Sequence, residues 1–157
     1  MKINVWSYLK EYKSLKKEIL KEIDTVFSSG KLILGPKVSL FEKQFSQFLK
    51  LKYGISVNSG TDAIQIALMA AKIGRGDEVI TVSNTAVPTV SAIVSCGAKP
   101  VFVDVNVNDY LINVDQIEKK ITKNTKAIIP VNLYGQCADY ESIMNAVRGV
   151  DYIFHSA

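Results

Sequence analysis

Three short, uniformly apolar runs separated by stretches of helical period constrain this chain more than any other feature. The runs are Glu78-Val79-Ile80-Thr81-Val82, Val101-Phe102-Val103-Asp104-Val105 and Lys126-Ala127-Ile128-Ile129-Pro130-Val131. Each has the length of a strand. None alternates apolar with polar residues, so both faces of each are expected to be covered. Between them, residues 87–96 predict a helix, with Pro88 tolerated in its first turn, and Asn113 or Asp115 caps a short helix through Ile121. Residues 140–147 predict a further helix, and residues 150–154 begin another strand. Strands alternating with helices imply parallel pairing with helices on both faces. The expected fold class is therefore α/β, a three-layer, mostly parallel sheet flanked by helices. Right-handed crossovers place the C-terminal ends of all strands on one edge, where ligands bind in such sheets.

Upstream, residues 8–27 place Leu9, Tyr12, Leu15, Ile19, Ile23 and Val26 at helical spacing among lysines and glutamates. That predicts an amphipathic helix with one packed face. Gly35-Pro36 marks a turn, and Val38, Phe41, Phe45 and Phe48 predict a second helix over residues 37–49. The apolar run over residues 53–57 predicts a buried strand. It leads through Asn58-Ser59-Gly60-Thr61-Asp62 into a helical run over residues 64–73. A helix start leaves backbone N–H groups without partners, and their partial positive charge favours an anion. Gly60 has no Cβ, so a ligand can approach the backbone, and Thr61 adds a hydroxyl donor. A plain capping role needs no ligand: Ser59 is a good N-cap, and Asp62 lies three residues on. On these residues alone both readings stand. Ser59–Thr61, Ser83–Thr85, Asp104 and residues 132–136 are expected to gather on one rim.

Composition narrows the partners. With 48% hydrophobic and 22% charged residues the 157-residue chain is globular rather than disordered. The net charge of +4 comes largely from lysines interleaved with glutamates in the first helix, which is a solvated face and too sparse for nucleic acid. Cys96 and Cys137 are in no metal-ligand spacing and read as reduced thiols of a cytoplasmic protein. The first residues, Met1 to Trp6, open onto charged helix rather than an apolar signal core, and no apolar run reaches membrane-spanning length. No metal site and no membrane association are expected.

Two cofactor classes suit a parallel sheet with an anion site at a turn. A dinucleotide calls for Gly-x-Gly-x-x-Gly, but Asn58-Ser59-Gly60-Thr61 holds one glycine. A single phosphate needs only one cradle, so pyridoxal phosphate fits better. Ser59-Gly60-Thr61-Asp62-Ala63, Gly76-Asp77-Glu78-Val79-Ile80, Gly97-Ala98-Lys99-Pro100-Val101-Phe102-Val103-Asp104, Thr125-Lys126-Ala127-Ile128-Ile129-Pro130-Val131 and Leu133-Tyr134-Gly135-Gln136 follow in order. Together with Gly35-Pro36 and Phe41-Glu42, this ordered set resembles the N-terminal part of the DegT/DnrJ/StrS family of sugar aminotransferases, from about Ser28 to about Met144.

The resemblance implies part of the large domain of a fold type I enzyme that uses pyridoxal 5'-phosphate. Such enzymes move an amino group, usually from glutamate, to a keto sugar carried on a nucleotide, and build their sites across a homodimer. The family's phosphate grip falls on Ser59, Gly60 and Thr61, and Asn84 and Thr85 line the site. Ala86 stands where the family places an aromatic ring against the cofactor, and Asn132 where many members carry histidine. The family's acidic run, which contacts the pyridine nitrogen, and its cofactor-linking lysine segment find no match. His155 falls near the expected carboxylate, and Asp104 and Asp151 read as strand-end caps. The implied organisation is N-terminal helices plus a partial large domain over residues 1–157, truncated or frame-shifted, inactive by itself and prone to association. Two alternatives remain: a non-catalytic module that associates with a full-length relative, and a nucleotide-binding Rossmann-like domain.

Overall fold

The computed structural model describes residues 7–147 and 149–154. The chain divides into two compact units, Met1–Ser56 and Val57–Ala157. The expectations placed on Met1 to Trp6 and on His155 lie outside the described residues.

The first unit contains α1 (Leu9–Ser29) and α2 (Pro36–Phe48). Gly30 ends α1 in the left-handed conformation, its N–H donating to the Phe27 carbonyl, as glycine does past a helix end. Pro36 opens α2, where its missing N–H costs nothing. Glu22 of α1 pairs with Lys37 of α2. Among the described residues none of α1 is buried, so the fully packed face expected from its spacing is not seen.

Residues 53–57 do not form the expected strand. Tyr53 and Ile55 are exposed, and the segment is tied to α2 instead of to a sheet. The Glu42 carboxylate accepts the Ser56 N–H at 2.9 Å and the Ser56 hydroxyl at 2.7 Å. These two bonds hold its pKa below the usual carboxylate range. Gly54 passes so close that a Cβ there would lie 2.7 Å from the Glu42 carbonyl oxygen. Apolar content suggested a buried strand, but a side chain some fourteen residues upstream had already taken the backbone donor.

The second unit is a parallel sheet in the order β2-β1-β3-β4, with β1 at Glu78–Val82, β2 at Lys99–Val103, β3 at Thr125–Ile128 and β4 at Tyr152–Ile153. Every residue of β1 is buried, as a central parallel strand requires. α3 (Gly60–Ala70) and α4 (Val87–Ser95) belong to one face, where Leu68 and Ile93 pack with Val79, Ala127 and Ile129. α5 (Tyr140–Ala146) covers the other, where Ile143 meets Ile80, Val82, Val103 and Ile128. Residues 79 and 80 thus point to opposite cores although both are apolar. The three-layer architecture is the expected one.

Boundaries differ where side chains intervene. β2 begins two residues early because Lys99 sits opposite Glu78 in the ladder and pairs with it at 2.9 Å. β3 stops at Ile128, short of the expected Val131, because Pro130 offers no N–H to a ladder. The expected helix over residues 113–121 is two 3₁₀ turns, Val114–Gln116 and Glu118–Lys120, with Asn113 capping the first. Asp104 does cap its strand end, accepting the Val105 N–H, whereas Asp151 precedes β4 and pairs with Lys126.

Glu78 is the charged group the sheet buries, at 8% exposure. The Thr122 hydroxyl at 2.6 Å and the Lys99 ammonium hold its pKa below the ordinary value of 4.5. A depressed carboxylate contributes stability that is present above the unfolded pKa and is lost as pH falls through the folded one. Stability is therefore expected to decline as pH drops below about 4.5, and Glu78→Gln is expected to flatten that decline while lowering stability at neutral pH. Urea midpoints from pH 3 to 7 measure both.

Candidate functional site

The start of α3 is built by its own sequence. Ser59 caps it with extended φ and ψ, accepting the Asp62 N–H at 3.1 Å, and its hydroxyl donates to the Asp62 carboxylate at 2.9 Å. The capping reading of these residues is therefore realised. It leaves the anion reading intact, because the N–H groups of Gly60 and Thr61 find no acceptor among the described residues. Two unpaired donors at a helix N-terminus carry the positive end of the peptide dipoles. Space is open in front of them: a Cβ on Gly60 would meet nothing within 4 Å. The half-buried Thr61 hydroxyl adds a donor beside them. This donor set and this free approach fit a phosphate ester.

No strand precedes this cap among the described residues. The link from α3 to β1 is a tight turn, with the Asp77 carboxylate accepting the Gly74 N–H at 2.9 Å. α3, of 11 residues, rises about 16 Å, and β1, of 5 residues, about 17 Å. Ile64 and Leu68 belong to the core that Val79 of β1 and Ala127 of β3 line. The Ser83–Thr85 turn follows β1, closed by the Thr85 N–H to the Ser83 carbonyl at 2.9 Å. Asn84 is exposed, while the Thr85 hydroxyl lies 2.9 Å from that of Thr89 in α4.

Asn132, which follows β3, accepts the Ala138 N–H at 3.0 Å and the Tyr140 hydroxyl at 3.3 Å through its side-chain oxygen. Asn132 is therefore a loop clasp, a role its identity alone did not disclose. β1 is followed by a helix on one face and β3 by a helix on the other. The crevice between their C-terminal ends is the switch point at which open α/β sheets take their ligands.

Burial raises the pKa of Cys96, whose Sγ lies 3.5 Å from the Gln65 carbonyl oxygen, so it is a packed thiol rather than a nucleophile. Both cysteines are free. Among the described residues no group of three acidic, histidine or cysteine side chains could hold a metal ion, and no helix is long and apolar enough to cross a membrane.

Residues 13–152 match the model of the DegT/DnrJ/EryC1/StrS aminotransferase family. The chain is 49% identical over 139 residues to the dTDP-3-amino-3,4,6-trideoxy-alpha-D-glucose transaminase of Micromonospora megalomicea, covering 88% of this chain and 37% of that protein. The crystal structure of S. venezuelae DesV superposes with a TM-score of 0.90 at 34% identity, covering 95% of this chain and 40% of that one. NtdA from Bacillus subtilis, solved with the cofactor PMP bound, gives 0.86 at 36% identity, covering 90% of this chain and 33% of that one. The chain thus spans well under half the length of these relatives, and the α/β architecture expected from its sequence is the one the structures share. The chain belongs to the DegT/DnrJ/EryC1/StrS aminotransferase family.

Proposed function

We propose that this chain supplies the phosphate grip of a pyridoxal-phosphate-dependent aminotransferase acting on nucleotide-linked keto sugars. The observation that carries the proposal is the pair of N–H groups at Gly60 and Thr61 that find no acceptor among the described residues, with open space at Gly60. Those two groups and the Thr61 hydroxyl hold the phosphate ester. Ser59 orients the cap, and its hydroxyl can exchange the Asp62 carboxylate for a phosphate oxygen. Asn84 and Thr85 line the neighbouring side of the rim. Bound pyridoxal phosphate supplies an electron sink for the carbon that gains or loses the amino group.

The substrate class follows from the names of two relatives, a dTDP-amino-sugar transaminase and a UDP-3-oxo-sugar aminotransferase. Glutamate is the amino donor in this reading. A second copy of the chain is the proposed partner, consistent with α1, which buries none of its apolar residues. Two free thiols suit a reducing cytoplasm. The motifs present provide the grip alone. Linkage to a lysine and contact with the pyridine nitrogen fall to segments that residues 1–157 do not match.

Calorimetric titration with pyridoxine 5'-phosphate, which lacks the lysine-reactive aldehyde, tests the grip. Saturable binding at one site per chain is expected, together with no transamination by the 157-residue chain. Absence of binding would remove the proposal.

A further inference from the structure

The hydrogen-bond ladder between β1 and β3 stops short, and a side chain stops it. β1 stays paired with β2 out to Val82 opposite Val103. Its pairing with β3 ends at Ile80 opposite Ile128, closed by the Ile129 N–H donating to the Ile80 carbonyl at 2.8 Å. In a continued parallel ladder the next bond would run from the Val82 N–H to the Ile129 carbonyl. The Thr81 hydroxyl donates to that carbonyl instead, at 2.9 Å. Past Ile80, no backbone hydrogen bond joins β1 to residues 129–131 among the described residues. The N–H that Pro130 lacks would have faced β4, where the Ile128 carbonyl accepts from Phe154, so it does not explain the parting from β1.

Burial makes the exchange of donors matter. Thr81 and Ile129 are 0% exposed, and a carbonyl left without a donor there costs free energy. Two donors of β1 are within one residue of it. The Val82 N–H would satisfy it by zipping the strands together. The Thr81 hydroxyl satisfies it with the strands parted. Immediately beyond, Ser83–Thr85 leave β1 and Asn132 leaves the β3 side, the two walls of the switch point. Resting on the cofactor reading above for its ligand, we infer that Thr81 is a positioning residue. Its hydroxyl stands in for a ladder donor and holds β1 and β3 apart at the mouth of the crevice.

The test uses two variants of the full chain. Thr81→Val keeps the branched shape and removes the hydroxyl, whereas Thr81→Ser keeps the hydroxyl. In Thr81→Val the Ile129 carbonyl is expected to take the Val82 N–H. NMR reads that bond as a coupling across it, between the Val82 nitrogen and the Ile129 carbonyl carbon, which wild type lacks. Binding must then reopen the bond, so pyridoxine 5'-phosphate is expected to weaken about fivefold, the worth of one backbone hydrogen bond, with the thermal midpoint near that of wild type. Thr81→Ser is expected to match wild type in coupling, affinity and midpoint. No coupling in Thr81→Val, undiminished affinity despite the coupling, or equal losses in both variants would overturn the inference and leave the grip standing. A wild-type chain that binds no pyridoxine 5'-phosphate would refute the grip, and the coupling in Thr81→Val would still decide whether Thr81 parts the strands.

Discussion

Gly60→Asp is expected to abolish phosphate-ester binding without unfolding the chain. The substitution is sterically free, because a Cβ at this position meets nothing within 4 Å. It is favourable to the helix, since a carboxylate in the first turn of α3 gains about 0.3–1 kcal/mol from the peptide dipoles. The same carboxylate faces the place where the phosphate sits. Two like charges near 4 Å at a protein surface repel by about 4 kcal/mol, so pyridoxine 5'-phosphate affinity is expected to fall by at least roughly a hundredfold. Gly60→Asn has nearly the same shape without the charge and separates crowding from repulsion. The aspartate variant is expected to melt at or slightly above the wild-type temperature and to bind nothing. An aspartate variant that binds normally would place the anion elsewhere.

Leu68→Ala is expected to produce the largest loss of stability together with a loss of binding. Leu68 is the one residue of α3 that is completely buried, at 0% exposure, and it packs against Val79, Ile93 and Ile129. Deleting its branched side chain removes transfer energy and leaves a cavity, at a cost of about 2–5 kcal/mol. That lowers the thermal midpoint by roughly 10 °C or more in a unit of this size. The effect reaches function because no strand leads into this helix. The position of Ser59–Thr61 depends on how α3 lies along the sheet. Binding of pyridoxine 5'-phosphate is therefore expected to weaken even well below the melting temperature. Met69→Ala, on the exposed side of the same helix, serves as the comparison and is expected to change stability by less than about 1 kcal/mol.

β1, β2 and β3 were legible because each is a short apolar run bounded by turns, a pattern that residues 53–57 shared without forming a strand. β1 lies where its apolar run places it, and α4 and α5 begin at Val87 and Tyr140 as expected. The capped start of α3 was legible because Ser59 and Asp62 bond within one turn and need no distant partner. What stayed hidden depended on contacts between residues far apart in sequence. The Glu42 carboxylate, by taking Ser56, holds an apolar segment out of the sheet. The Glu78–Lys99 pair sets where β2 begins. The left-handed turn at Tyr134 is created by Asn132 and Gln136 reaching to Ala138 and Asp109. The adjacent Gly135, at φ 78°, was its one local sign, since a Tyr-Gly pair often marks a turn.

Amide-resolved NMR during titration with pyridoxine 5'-phosphate addresses the anion site most directly. Hydrogen bonding to a phosphate should move the Gly60 and Thr61 amide resonances further than any others, along one saturable curve, with smaller shifts at Asn84 and Thr85. Movement centred on another helix start, such as the uncapped N-terminus of α2 at Lys37, with Gly60 and Thr61 unmoved, would contradict it.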